Sequence, residues 1–154
     1  MYFIKICNMR KGILFVITIC LLNACRPTAD NSNIAIREQA QKFAEAYFAY
    51  DFIRAARFAT PESEKWLRFA ASNVTQEEID LINATSKTAD IEVTNCYPQN
   101  DSTALVMMTV FNVILKDTLG HPAHMANEAD FALTLVKRNG DYQVKMEGLP
   151  RNKK

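Results

Sequence analysis

The stretch that most constrains the fold of this chain is Thr103–Leu115, with the sequence TALVMMTVFNVIL. Taken with a period of two, both of its faces are apolar. One carries Ala104, Val106, Met108, Val110, Asn112 and Ile114, and the other Leu105, Met107, Thr109, Phe111, Val113 and Leu115. A strand exposed to water on one side would alternate polar with apolar residues. The pattern therefore predicts a central strand with helices on one side, further strands beside it, and a partner subunit or a ligand on whatever the helices leave open.

Length and charge limit what the chain can be. Its 154 residues have room for one domain with one hydrophobic core. Three of the 18 basic residues and none of the 17 acidic residues precede Cys25, which leaves 15 basic against 17 acidic residues, a formal net charge of −2. This balance predicts no nucleic-acid partner.

The N-terminal residues 1–24 have the features of a secretory signal peptide. Lys5, Arg10 and Lys11 give a positive start, and an apolar run over residues 13–22 follows. As a helix this run would rise only about 15 Å, about half of the apolar thickness of a bilayer. A cleaved signal is therefore favoured over a permanent transmembrane helix.

The end of the signal has a motif of its own. Residues 22–25 (LNAC) resemble the lipobox of bacterial lipoproteins. In that family the cysteine receives a diacylglyceryl group and the signal is cut before it, which implies a bilayer anchor at Cys25. Arg26 stands where an Asp would favour the inner membrane, so the resemblance implies the outer membrane. An ordinary cleavage site after Ala24 is the alternative. Residues 25–33 are polar and predict a lipidated tether.

One cysteine remains for other roles. Cys7 and Cys20 lie in the signal and Cys25 is the predicted lipid site, so no disulfide within the chain is expected. For Cys96 we expect a reduced, half-buried thiol on the more polar face of its strand, and the alternative is a disulfide between two subunits.

The first half of the mature chain has helical periodicity. Residues 33–50 have apolar side chains spaced by three or four, which predicts an amphipathic helix. Asp51 is expected to cap a second helix over residues 52–59. The sequence Thr60-Pro61-Glu62 then combines a hydroxyl cap with a proline and a carboxylate, which predicts the start of a third helix.

Two further residues define the last predicted helix. Thr75 and Glu78 have the spacing of a capping box, in which each side chain bonds the backbone of the other residue. A fourth helix is therefore predicted over residues 76–84.

Beyond Ser86 the sequence pattern takes the two-residue period of a β-strand. Residues 90–97 predict a strand that ends at Pro98, with Ile91, Val93, Asn95 and Tyr97 on one face and Asp90, Glu92, Thr94 and Cys96 on the other. Residues 129–137 and the run from Tyr142 predict a hairpin joined by Asn139 and Gly140. Residues 34–149 are thus predicted to form an α+β domain, with N-terminal helices packed on a four-stranded antiparallel meander, followed by a basic tail at 150–154.

Two segments carry a resemblance to a known superfamily. Residues 46–62 (AYFAYDFIRAARFATPE) and 131–144 (FALTLVKRNGDYQV) resemble signatures of small lipoproteins, many of unknown function, in the nuclear-transport-factor-2-like, or cystatin-like, superfamily. The resemblance implies a curved sheet wrapped on helices, a pocket at the open end of a cone, and frequent dimers through the sheet. It fixes no activity, since this fold hosts isomerases, dehydratases, carriers and inert modules.

Aromatic and amphipathic side chains are the candidates for that pocket, because aromatic walls with phenol tips suit small amphipathic ligands. They are Tyr47, Tyr50, Trp66, Tyr97, Met108, Phe111, Asn112 and Tyr142. Core packing explains the same residues about as well. Asn95 and Asn112 could orient a ligand, and the alternative is a buried amide bonded to the backbone.

Two other motifs carry less weight. His121 and His124 have no third ligand at a fixed spacing, and Pro122 prevents their presentation on a helix, so no metal and no cofactor is expected. Ser102 and Thr118 each follow an aspartate in a predicted turn. They resemble the short acceptor that some gut-dwelling bacteria O-glycosylate on exported proteins.

The inward strand faces offer mostly aliphatic and methionine side chains, so no acid–base pair is placed and no catalytic residue is assigned. We expect a membrane-anchored, non-catalytic domain that binds a small molecule or a partner protein. The alternatives are an isomerase- or hydrolase-like enzyme that uses the cone pocket, and a structural module that dimerises through the sheet.

Overall fold

The computed structural model describes residues 29–116 and 122–153. Its elements are α1 (Ala29–Phe48), α2 (Phe52–Ala56), a 3-10 turn (Pro61–Ser63), α3 (Glu64–Ser72), α4 (Gln76–Ala84), β1 (Asp90–Asn100), β2 (Thr103–Leu115), β3 (His124–Arg138) and β4 (Asp141–Lys145). The strands form one sheet in the order β1-β2-β3-β4, and each neighbouring pair is antiparallel. The predicted α+β fold of helices followed by a four-stranded meander is confirmed.

The first helix differs from its prediction at both ends. It begins at Ala29, so the last residues of the predicted tether, 29–33, are helical. It ends at Phe48 because Tyr50 adopts a left-handed backbone conformation, with φ of 61°. The Tyr50 N–H donates to the Tyr47 carbonyl over 3.0 Å and the Asp51 N–H donates to the Ala46 carbonyl over 2.9 Å. These two bonds form a Schellman ending, in which the left-handed position is usually glycine.

The second helix is shorter than predicted because the chain leaves it to join the sheet. Asp51 caps α2 as expected, since its carboxylate accepts the Arg54 N–H over 3.0 Å. After Ala56, however, residues 58–60 run beside β4. The Val144 N–H donates to the Phe58 carbonyl over 2.8 Å and the Thr60 N–H donates to the Val144 carbonyl over 2.9 Å. Backbone pairing with β4 therefore replaces the last predicted turn of the helix.

The hydroxyl at Thr60 does not cap the next helix, contrary to its prediction. It lies 2.9 Å from the Ser63 hydroxyl, and both residues are buried. Ser63 Oγ donates to the Val144 carbonyl over 3.3 Å and accepts the Met146 N–H over 2.8 Å. Side-chain hydroxyls thus satisfy backbone groups along the edge of β4, which would otherwise be open to pairing with another chain.

The fourth helix and the central strand have the bounds that their sequences predict. Glu78 Oε2 accepts the Thr75 N–H over 2.8 Å, and Thr75 Oγ1 accepts the Glu78 N–H over 3.4 Å, so the capping box is confirmed. The strand β2 spans Thr103–Leu115.

A β-bulge in β1 exchanges the faces of that strand. Val93 pairs with Met108 but Asn95 pairs with Met107, so Thr94 is an extra residue. Beyond it Cys96 packs against the core, whereas Asn95 and Tyr97 are exposed. The predicted faces of residues 95–97 were therefore wrong, because an extra residue reverses the alternation of a strand.

The first strand also runs through Pro98, which was predicted to end it. Pro98 pairs with Ala104, and the pairing continues to Asn100 after a second register shift. An edge strand tolerates proline because the N–H that proline lacks would face solvent.

The central strand changes faces near Asn112, whose φ of 52° is left-handed. Val110 and Val113 are both buried, three residues apart rather than two. Their partners on β3 are Ala129 and Ala126, which both contact the core, and the register stays constant. Both strands therefore exchange faces at the same level, and the predicted alternation is wrong beyond Val110.

The core lies between the helices and the inner face of the sheet. Core side chains that are at most 4 % exposed include Phe43, Ile36 and Leu67 from the helices, Val106, Met108 and Val110 from β2, and Phe131, Leu133 and Leu135 from β3. The predicted basic tail is held to the sheet, because the Lys153 N–H donates to the Asp130 carbonyl over 2.9 Å. Within the described ranges, no helix combines the length and the apolar character needed to cross a membrane.

Candidate functional site

The helices cover one face of the sheet, and the opposite face is the candidate site. We call it the outer face and define it by the β2 side chains Leu105, Met107, Thr109 and Phe111 with their partners on β1 and β3. All four are half-buried, in contrast to the buried residues that alternate with them. Alternation of this kind is expected where one side of a strand packs on a core and the other side reaches the surface.

The outer face is apolar in its middle. Leu105 lies between Tyr97 and Thr134, and Met107 lies between Asn95 and Ala132. Tyr97 is 50 % exposed. The face therefore offers Leu, Met and Tyr surface to a partner.

One end of the outer face is acidic. Thr109 lies between Glu92 and Asp130, and its hydroxyl donates to Asp130 Oδ1 over 2.8 Å. One pair further along, Phe111 lies between Asp90 and Glu128. Four carboxyl groups thus border this end of the outer face.

The eight predicted pocket residues do not line one cavity. Met108 is buried in the core on the inner face, whereas Tyr97 and Phe111 lie on the outer face and Asn112 lies at the face exchange. Met108 and Phe111 lie on opposite faces by the ordinary alternation of β2. The bulge in β1 turns Tyr97 to the outer face, and the left-handed backbone places Asn112 at the face exchange.

The other four predicted pocket residues lie on the helical side and on β4. The Tyr47 ring stacks on Phe43 with centroids 5.7 Å apart. Trp66 and Tyr142 are half-buried against the core, and Lys137 Nζ lies 5.9 Å from the centre of the Tyr142 ring. The contacts of Tyr47, Trp66 and Tyr142 favour a role in core packing.

Tyr50 belongs to a polar cluster around Glu78, which is 8 % exposed. Glu78 Oε1 accepts the Tyr50 hydroxyl over 3.0 Å. Glu78 Oε2 accepts the backbone N–H and the hydroxyl of Thr75, over 2.8 and 2.9 Å, and lies 3.7 Å from Lys116 Nζ. The cluster joins the end of α1, the start of α4 and the end of β2.

The pKa shifts in this cluster favour an ionised Glu78 carboxylate and neutral phenols on Tyr47 and Tyr50. Burial favours a protonated Glu78, but the bonds from Thr75 and Tyr50 and the charge of Lys116 outweigh it and lower the pKa of that carboxyl. Burial and the Glu78 charge raise the pKa of Tyr47 to about 12. Burial and the same charge also raise the pKa of Tyr50 above its ordinary value.

These shifts suit a structural role better than proton transfer. A general acid must carry a proton near neutral pH, and a general base needs an oxygen within reach of substrate. Both oxygens of Glu78 already accept hydrogen bonds inside the protein, and its lowered pKa keeps it ionised. The capping box was visible in the sequence, but the bond from Tyr50 was not, because it joins residues far apart in the chain.

The remaining predicted sites are placed in part. Ser102 lies exposed in the turn between β1 and β2, where its N–H and hydroxyl donate to Asn100 Oδ1. His124 is the exposed first residue of β3. Cys25, Thr118 and His121 lie outside the described residues. Among those that are described, no three His, Cys, Asp or Glu side chains form a group that could hold a metal.

Cys96 is a free thiol, half-buried beside the core. Burial raises its pKa more than the nearby Arg37 guanidinium lowers it. A thiol that stays protonated is a weak nucleophile. Arg37 itself donates to the Val93 carbonyl over 3.0 Å and so ties α1 to the edge of the sheet.

The arrangement defines an α+β protein with helices on one face of an open antiparallel meander. It matches the solved structure of a protein of unknown function from Mycobacterium tuberculosis, with a TM-score of 0.53 and 14 % identity over 85 % of this chain and 78 % of that one. It also matches an Ntf2-like protein involved in plasmid conjugation, with a TM-score of 0.37 and 16 % identity over 77 % of this chain and 49 % of that one.

These likenesses concern the fold and carry no activity to this chain. No protein-family model matches the sequence, and no curated protein sequence matches it. The function is therefore argued from the surfaces of the molecule.

Proposed function

We propose that this chain is a lipoprotein of the cell envelope whose domain binds a partner protein through the outer face of the sheet, without catalysis of its own. Acylated Cys25 would hold it to a bilayer, which we place at the outer membrane. The observation that carries the proposal is the contrast between the two faces of β2. Val106 and Met108 are buried against the helices, whereas Leu105 and Met107 remain half-exposed apolar side chains on the other side.

The filled inner face favours a protein partner over a small ligand in the cone. Met108 is 1 % exposed, and Phe43 from α1 is fully buried on the same side of the sheet. A ligand there would have to displace close-packed side chains, which is costly because protein interiors have few voids. A partner on the outer face displaces only water.

The chemistry of the outer face indicates the kind of partner. Tyr and Met side chains are enriched in protein interfaces, and Tyr is among the residues that dominate their binding energy. The carboxyl groups of Asp90 and Glu92, which pair with Phe111 and Thr109, favour a partner whose apolar patch is bordered by Lys or Arg. We therefore propose a protein with a basic rim around an apolar surface.

A photocrosslinking experiment in the native envelope tests this surface. A photoreactive amino acid replaces Met107 in the full chain, and the matched control carries it at Glu38, which is exposed on α1. We expect one adduct of defined mass from position 107 and none from position 38. Replacing Asp90 and Glu92 by Asn and Gln should weaken that adduct, because the acidic end is then neutralised.

The outcomes separate the alternatives. An adduct of twice the mass of the chain would show self-association through the sheet and replace the proposed partner by a second copy. Equal labelling from both positions, or none from position 107, would overturn the proposal.

The anchor has its own test. Intact mass of the protein from its native host should show a chain that begins at Cys25 and carries acyl groups, and a Cys25→Ser variant should leave the membrane fraction. An unmodified Cys25 in membrane-extracted protein would contradict the anchor but not the binding surface.

A further inference from the structure

The helix α4 is attached to the domain through a charged side chain instead of apolar ones. Of its nine residues, all of which the structure describes, only Glu78 is buried. Leu81 is half-buried, and Ile79 and Ile82 are 40 % and 38 % exposed. The neighbouring helix α3 has the same length and buries two apolar side chains. Since apolar burial is the main force that holds a helix on a core, α4 lacks the attachment that α3 has.

The hydrophobic core is complete without α4. Among the described residues, the buried core side chains and the half-buried ones packed against them come from α1, α2, α3 and all four strands, and none comes from α4. Segments with few buried apolar contacts are those that open locally while the rest of a protein stays folded. The sheet and the other helices therefore keep their packing when α4 leaves its position.

The bonds that hold α4 in place lie at its first turn. The Tyr50 hydroxyl donates to Glu78 Oε1 over 3.0 Å, and Lys116 Nζ lies 3.7 Å from Glu78 Oε2. The Ala123 N–H donates to Glu77 Oε2 over 3.3 Å at an exposed position. These polar contacts are of a kind that water can replace, so their loss costs less than the loss of apolar burial.

Both connections of α4 leave it room to move as a unit. Residues 73–75 join it to α3 and residues 85–89 join it to β1, and none of these belongs to a helix or strand. An isolated helix of nine residues is not stable in water. Once the contacts of Glu78 break, the whole helix is therefore released rather than one side chain.

From these features we infer that α4 opens as a separate unit while α1, α3 and the sheet remain folded, and that the contacts of Glu78 are its latch. Opening frees the hydroxyl of Tyr50, whose ring lies 5.9 Å from that of Phe52 in an aromatic cluster with Tyr47. The inference does not depend on the proposed partner surface, which is on the opposite side of the sheet, so either can fail without the other.

Native-state hydrogen exchange tests the inference on the full chain, purified in detergent, labelled with ¹⁵N and measured by nuclear magnetic resonance at low urea concentrations. We expect the amides of residues 80–84 to have protection factors at least about a hundredfold below that of Val106 in β2. Their protection should change little with urea, because opening of one short helix exposes little surface. Val106 should show the steep urea dependence of global unfolding.

Two variants and a matched control test the latch. Tyr50→Phe removes a contact of Glu78 and leaves the capping box intact, and it should speed exchange of residues 80–84 about tenfold. Glu78→Gln keeps a side chain suited to the capping box but removes the charge, and should act in the same direction. Asp80→Asn is the control, since the exposed Asp80 carboxylate bonds only Gln76 of the same helix among the described contacts, over 2.9 Å. It should change exchange less than about twofold.

Three results would overturn the inference. They are protection and urea dependence of residues 80–84 equal to those of Val106, exchange of these residues at the rate of an unfolded chain, and equal acceleration in Asp80→Asn and Tyr50→Phe. The urea series on the parent chain decides the first two without any variant. A well-dispersed spectrum of each variant establishes that it is folded.

Discussion

The hydroxyl of Tyr50 donates to Oε1 of Glu78 over 3.0 Å and so joins the end of α1 to the capping box of α4. Tyr50 holds a left-handed conformation that costs a non-glycine residue about 1–2 kcal/mol. The hydrogen bond to an ionised, buried carboxylate offsets that cost. A tyrosine at a position that favours glycine is therefore explained by its side chain rather than by its backbone.

Removing that hydroxyl should destabilise the domain. Tyr50→Phe leaves Glu78 Oε1 without its donor, and we expect a loss of about 1–2 kcal/mol in the free energy of unfolding. Urea denaturation with an unchanged m-value measures it. Tyr97→Phe is the matched control, because Tyr97 is 50 % exposed, and it should change stability little. An equal loss of unfolding free energy in Tyr50→Phe and Tyr97→Phe would contradict the stabilising role of the Tyr50 hydroxyl.

Acid should weaken the fold partly through Glu78. Its pKa is lowered in the folded protein, so the folded state binds fewer protons than the unfolded state at moderately acid pH. The stabilisation is present above the ordinary glutamate pKa of 4.5 and is lost as pH falls through the lower folded value. Denaturation midpoints between pH 7 and pH 3 should therefore fall less steeply in Glu78→Gln than in the parent chain. An equally steep fall of the midpoints in both proteins would exclude a contribution from Glu78.

Alkaline pH should destabilise the fold through ionisation of a half-buried tyrosine. The pKa of Tyr47 is raised to about 12, so the protonated phenol is favoured in the folded state. Its stabilisation is complete below the ordinary value of 10.0 and is lost as pH rises through about 12. Absorbance at alkaline pH should show tyrosines that ionise late, and Tyr47→Phe should remove one of them. Ionisation of every tyrosine near pH 10 in folded protein would contradict this assignment.

The buried hydroxyl of Ser63 should matter more than an exposed one. It bonds the Val144 carbonyl and the Met146 N–H, and it lies 2.9 Å from Thr60 Oγ1. Ser63→Ala leaves the Met146 N–H unpaired, while the Val144 carbonyl keeps the Thr60 N–H, and we expect a loss of about 1–3 kcal/mol. Ser72→Ala is the control, since the Ser72 hydroxyl is exposed. A Ser63→Ala variant as stable as the control would show that the edge of β4 does not depend on this hydroxyl.

Asn112 should tolerate glycine but not a β-branched residue. Its φ of 52° lies in the region that asparagine and glycine adopt most readily. Asn112→Gly should be close to neutral, whereas Asn112→Val should cost about 1–2 kcal/mol. Thermal unfolding of the two variants compares them directly. A valine variant as stable as the glycine variant would mean that the backbone at this point relaxes.

Several features of the fold followed from neighbouring residues in the sequence. The bounds of β2 came from a largely apolar run, and the start of α4 came from the Thr75–Glu78 capping box. Asp51 was expected to cap α2 and does so. In each case the groups that decide the structure lie within a few residues of each other, where spacing alone sets which atoms meet.

The candidate surfaces followed from the sequence only in part. The two apolar faces of β2 predicted cover on both sides, with a partner or a ligand on whatever the helices leave open, and the outer face is the side that the helices leave open. The predicted pocket residues are not brought together. Met108 and Phe111 already fall on opposite faces of β2, and the extra residue at Thr94 and the left-handed Asn112 change the faces of Tyr97 and Asn112. Register and backbone handedness at these points depend on the neighbouring strand.

The sequence by itself determined the order of elements, the meander and the stretch on which the core is built, because periodicity and caps are local properties. Tertiary structure alone decided that α2 ends early to pair with β4, that Cys96 faces the core and that Tyr50 reaches Glu78. These contacts join residues distant in the chain, and their geometry is set only when the helices pack on the sheet.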